Sequence, residues 1–151
     1  MRSKDKSIVV SHEQRLWSST IPGAPIGKGR PRATVRGGFV RTYTPAKTKK
    51  WESDAAMVLR SSWREEPLEG PISVGILALF PRPQRMVWKT KPMPRVPYIQ
   101  KPDLDNVAKA VLDALEKAGV IRDDKAVWSL DCEAMYCAGD EDPRVVVRVG
   151  W

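Results

Sequence analysis

Five aspartates crowd one short segment of this chain. Asp103, Asp105 and Asp113 lie in KPDLDNVAKAVLDAL, and Asp123 and Asp124 in IRDD just beyond it. An aspartate at a helix N-cap is ordinary and favourable by roughly 1 kcal/mol over alanine. One cap explains one aspartate, however, and Asp103 and Asp105 sit two apart at the positive end of the same helix. With Asp113 farther along and Asp123–Asp124 expected to be brought back beside them by the following strand, the group is a carboxylate cluster. Such a cluster repels itself unless a cation lies within it. A hard divalent ion fits: magnesium takes carboxylate oxygens, waters and the oxygens of a substrate phosphate. It activates water for attack on a phosphodiester near neutral pH. Lys109, four residues after Asp105, is either an ion-pair partner of Asp105 or Asp113 or a cation that neutralises charge on the transferring phosphate. Spacing alone leaves both open.

The segment that holds these residues reads as a helix over about 105–118, with Val107, Val111, Ala114, Leu115 and Ala118 as its buried stripe and Gly119 ending it. A strand is expected over 15–21, a Gly/Pro-rich loop over 22–32, and a second strand over 37–43 entered by a glycine turn. A second helix is expected over about 46–64, with Thr44 as N-cap, Pro45 in the first turn, and Trp51, Ala55, Val58, Leu59 and Trp63 facing inward. ISVGILALF (72–80) reads as a central strand, and two more strands follow at about 126–136 and 144–149. This order predicts an α+β domain: one mixed β-sheet with two main helices packed on it.

Charge is segregated along the chain. Twelve lysines and arginines face two acids over residues 1–50, whereas seven face eleven over 101–151, within a net +8. A basic half suited to phosphate backbones adjoins an acidic half suited to a metal. Between them, 81–102 carries six prolines with Arg82, Arg85, Lys89, Lys91, Arg95 and Lys101. It reads as a long mobile loop with too few hydrophobic residues to pack well, and its Trp88 and Tyr98 sit among cations as in surfaces that grip nucleic acid. Cys132 and Cys137 with His12 are too few soft ligands for zinc, and a disulfide is not expected. No apolar run is long enough for a membrane span or a signal peptide, so a cytoplasmic protein without membrane association is expected. Residues 1–14 read as a flexible basic N-terminus, with one domain over 15–151.

The PDLDN helix start, the lysine four residues after the second aspartate, and the trailing DD together resemble the RusA family of Holliday-junction resolvases. PGAPIGKGRPR and RTYTPAKT upstream are similar to the family's basic N-terminal strand and turn. The resemblance implies a structure-selective endodeoxyribonuclease of phage or prophage origin. It would act as a homodimer on four-way DNA junctions, nicking symmetrically, with magnesium as cofactor and manganese able to substitute. It further implies Asp103, Asp105 and Asp124 as metal ligands, Lys109 as catalytic lysine, and Asp113 and Asp123 in support. Lys28, Arg30, Arg32, Arg36 and Arg41, with the cations of 81–102 including Lys101, are then expected to hold phosphates. The competing reading is a non-catalytic DNA-binding protein whose acids only cap and solvate. A metal-dependent transferase is a third, poorly served by a chain without a Gly-rich nucleotide loop.

Overall fold

A computed structural model of the chain describes residues 14–29, 32–43 and 45–151. Its main sheet has the order β1–β7–β4–β6–β5, from Leu16–Pro22 (β1), Arg144–Gly150 (β7), Ile72–Phe80 (β4), Val127–Tyr136 (β6) and Val96–Pro97 (β5). Only β4 and β6 run parallel; the other neighbours are antiparallel, so the sheet is mixed as expected. Two helices, Ala46–Ser62 (α1) and Leu104–Lys117 (α2), pack on this sheet.

The alternation in ISVGILALF places Ile72, Val74 and Ile76 toward the helices, where Val145, Val147 and Val149 of β7 join them. The expected α2 stripe of Val107, Val111, Ala114, Leu115 and Ala118 is buried throughout. On α1, Ala55 and Leu59 are buried, as is Trp63 just past its end, whereas Trp51 and Val58 are only half-buried. The α1 helix also starts differently from the expectation. Pro45 occupies its N-cap position instead of the first turn, and Thr44 lies outside the described residues. The N-terminal segment 1–13 lies outside them as well.

A further element is β2, Arg32–Arg36, for which the sequence reading expected no strand: Arg32 ended its loop and 33–36 were left unassigned. It pairs with Phe39–Tyr43 (β3) in a two-stranded hairpin separate from the main sheet. Gly37 and Gly38 form the turn, with φ of 63° and 81°. A two-residue turn with both φ positive matches the twist of paired strands, and glycine adopts it without a Cβ clash.

The segment 81–102 is mostly irregular, as expected, but it packs against its own chain. Arg82 donates to the carbonyls of Met86, Pro94 and Cys137 at 2.6, 2.8 and 3.1 Å. Arg95 forms a two-pronged bridge to Glu141 at 2.8 and 2.5 Å. The guanidinium of Arg82 and the ammonium of Lys91 lie 4.8 and 4.3 Å from the Trp88 ring centroid. Charged and aromatic groups join Met86 and Val96 in the packing here. As the prolines require, the segment supplies only the short edge strand β5.

Candidate active site

The start of α2 presents Asp103, Asp105 and Lys109, all exposed. Asp103 sits at the N-cap position, yet its carboxylate makes no capping hydrogen bond. Its backbone carbonyl instead accepts the Val107 N–H at 3.1 Å. Capping therefore accounts for neither aspartate, and both carboxylates remain available beside the helix's positive end. Lys109 makes no ion pair among the described residues, which leaves its ammonium free on the same side as Asp105.

Asp113 is turned elsewhere. Its carboxylate accepts from Lys28 Nζ, and this partner raises the Lys28 pKa above the usual lysine value. The loop carrying Lys28 is fixed by the Lys28 N–H donating to the Asn106 carbonyl at 3.1 Å. Gly27 allows that approach, because a Cβ there would collide with Pro102. Lys28 thus braces the loop 23–29 against α2, and its charge is already matched.

Asp123 and Asp124 were expected to return to the start of α2. They stay at its far end, because Gly119 turns the chain with φ 75° and the next residues lock in place. Val120 and Ile121 are buried, while Leu68 exchanges backbone hydrogen bonds with Val120 and Arg122 at 2.9 and 3.0 Å. The Asp123 carboxylate accepts the Lys125 N–H at 2.9 Å, which holds its pKa below the ordinary range and caps a short turn over Asp124–Ala126. Glu116 joins the pair. It accepts the Asp124 N–H at 2.7 Å, and oxygens of Glu116, Asp123 and Asp124 lie within 4.8 Å of one another. The sequence reading missed Glu116, although eleven residues after Asp105 is three helical turns and the same side of α2.

Three carboxylates at the negative end of a helix repel one another and the dipole unless a cation joins them. The donors are all oxygen, which suits a hard divalent ion and excludes a thiolate metal. Both cysteines are free, and burial pushes the Cys132 thiol up to about 11.

The cations assigned to phosphates divide into groups. Lys28, Arg82 and Arg95 are bound internally, as described, and Lys91 lies against Trp88. Arg85, Lys89 and Lys101 are exposed and make no ion pair among the described residues. Arg32, Arg36 and Arg41 occupy positions on the hairpin, and Arg30 lies outside the described residues. Tyr98 belongs to the core: its ring stacks on Phe80 at 3.6 Å between centroids and meets Tyr136 edge-on at 5.1 Å. Exposed apolar groups among cations are found at Val87 and, more fully exposed, on the hairpin at Val35, Phe39 and Val40.

The sequence pattern described as Endodeoxyribonuclease RusA matches residues 22–150. The chain is 32% identical to the uncharacterized protein YqaN of Bacillus subtilis over 135 residues, covering 86% of this chain and 92% of that one. It is 26% identical to the crossover junction endodeoxyribonuclease RusA of Aquifex aeolicus over 136 residues, covering 90% and 91%.

Proposed function

The chain belongs to the RusA endodeoxyribonuclease family, and on that premise we propose that it cuts four-way DNA junctions in a magnesium-dependent reaction. The name of the Aquifex relative supports the substrate. The observation that carries the chemistry is the arrangement on α2: two uncapped aspartates and an unpaired lysine at its start, three clustered carboxylates at its end.

Within one copy these are two half-sites. Asp105 and Glu116 are separated by roughly 16 Å at 1.5 Å per residue of helix. A ligand set of Asp103, Asp105 and Asp124 therefore closes only where the start of one α2 meets the end of another. A homodimer with antiparallel α2 helices provides this twice, about the same two-fold axis that a four-way junction carries. Magnesium, when bound, supplies Lewis-acid activation of the attacking water and neutralises phosphate charge.

The protein's own groups do the rest. Asp103, Asp105 and Asp124 hold the ion, with Glu116 and Asp123 beside them. Lys109 places an ammonium where charge develops on the scissile phosphate. The hairpin, with Arg85, Lys89 and Lys101, tracks the DNA backbone and sets position without reading sequence.

Cleavage of a synthetic immobile junction beside a linear duplex of the same sequence tests this reading, with magnesium or EDTA. Paired symmetric nicks that need the metal and spare the duplex are expected. Asp105→Asn should slow them on the order of 100-fold or more. Tight junction binding without cutting, indifferent to magnesium and to Asp105→Asn, would leave a DNA-binding module instead.

A further inference from the structure

Asp103 and Asp105 face solvent, and neither makes an ion pair among the described residues. A pair of metal ligands has to be held within about 0.5 Å of its working geometry by what surrounds it. Here that hold comes through the backbone, because no partner fixes either carboxylate. The chain that leads into α2, residues 98–103, belongs to no strand or helix. Its placement therefore depends on individual contacts. On one side Gly27 closes against Pro102, where a Cβ would collide.

On the side of the sheet the contact is Tyr98. Its N–H donates to the Ala134 carbonyl of β6 at 3.0 Å. Its ring lies on Phe80 of β4 within 3° of parallel and meets Tyr136 of β6 edge-on. Phe80 and Tyr136 share one buried cluster with Val107 of α2, and Tyr98 packs against it. From this seat the Tyr98 hydroxyl donates to the Lys101 carbonyl. The chain thus leaves the sheet at Tyr98 and loops outward through Ile99, which is 87% exposed. The same tyrosine draws it back two residues before Asp103. Burial raises the Tyr98 pKa above the usual value, so the hydroxyl stays protonated and donating at neutral pH. Phenylalanine would serve the stacking equally well; only the hydroxyl reaches the turn.

We propose that Tyr98 is a positioning residue for the metal site: its hydroxyl pins the Lys101 carbonyl and thereby sets where Asp103 and Asp105 stand. This role rests on the metal-dependent reading above. It touches neither the ion nor DNA, and acts only through the backbone of 101–103. Without the hydroxyl, the turn over 99–101 is tied only at its ends. The two aspartates then sample more positions, and the ion must order them as it binds. Losing an outer contact of this kind typically costs about 10–100-fold in metal affinity or activity.

Tyr98→Phe in the full chain tests this role. Tyr136→Phe is its control, because it removes a hydroxyl from the same cluster but none from the turn. Manganese alone, followed by electron paramagnetic resonance, reads metal affinity without DNA or catalysis. Tyr98→Phe should bind manganese about 10-fold more weakly than wild type while melting close to it, and Tyr136→Phe should match wild type in both. Junction cleavage by Tyr98→Phe should need correspondingly more magnesium, with the KM for the junction unchanged. Unaltered manganese affinity in Tyr98→Phe, or an equal loss in Tyr136→Phe, would overturn the positioning role. Manganese binding that weakens as expected in a protein that never cuts junctions would uphold the role and refute the nuclease reading. Magnesium-dependent cleavage with no change in Tyr98→Phe would do the reverse.

Discussion

The β2–β3 hairpin and the segment 81–102 are both rich in arginine and both carry apolar and aromatic residues, yet those residues stand in opposite surroundings. In 81–102, Arg82 is consumed by three backbone carbonyls, Arg95 by Glu141, and Trp88 by two cations. In the hairpin, Val35, Phe39 and Val40 stand 75, 74 and 68% exposed on a ribbon paired only with itself. An arginine counted in a sequence is therefore not yet an arginine offered to DNA. Each one has to escape the carbonyls and carboxylates of its own chain first.

The widest expected separation between the two regions comes from neutralising the hairpin. Arg32, Arg36 and Arg41 all changed to Gln should lower junction affinity on the order of 100-fold and flatten the log–log salt slope by about 3. The melting temperature should stay put, and an unchanged slope in a binding titration would remove the hairpin from the interface. Arg82→Met should behave in the opposite way. It leaves three carbonyls without a donor and should destabilise the fold by about 2–3 kcal/mol in denaturant melts, with the salt slope intact. A smaller effect is expected for Phe39→Ala, a loss of about 1–2 kcal/mol in junction binding if the ring stacks on a base. Its exposure means that stability should not move, so a lowered melting temperature would mark it as structural.

The smallest effect concerns pH. The Arg95 guanidinium, the Ala138 N–H and Arg144 hold the Glu141 carboxyl at about 2, below its usual 4.5. A depressed acid contributes stability above its unfolded value and loses it as pH falls through its folded value. Wild type should therefore weaken progressively between about pH 4.5 and 2. Glu141→Gln, less stable at neutral pH, should show a shallower slope across that window. Parallel slopes in melts at pH 6 and pH 3 would mean that the bridge to 81–102 contributes nothing measurable.

Much of this molecule was legible from residue order, because local periodicity encodes local burial. The α2 stripe, the alternation of β4 and the glycine after α2 all follow from near neighbours along the chain. The hairpin's first strand was missed because RATVR is short and becomes a strand only when Gly37–Gly38 fold it onto a partner. The site was half legible. Residue types pointed to a carboxylate cluster, but not which end of α2 each acid would occupy, and Glu116 drew no notice among ordinary helix glutamates.

By itself, then, the sequence determined the two helices, the long strands of the main sheet, most of their buried faces and the family, since each depends on side-chain type at fixed local spacing. Only the tertiary structure decided which charges were free. Lys28 meets Asp113 across 85 residues of chain and Arg95 meets Glu141 across 46. It also decided that Asp123 and Asp124 join Glu116, because the buried Val120 and Ile121 pin the chain against Leu68. Long-range pairing is set by the packing of the whole core, which no local pattern records.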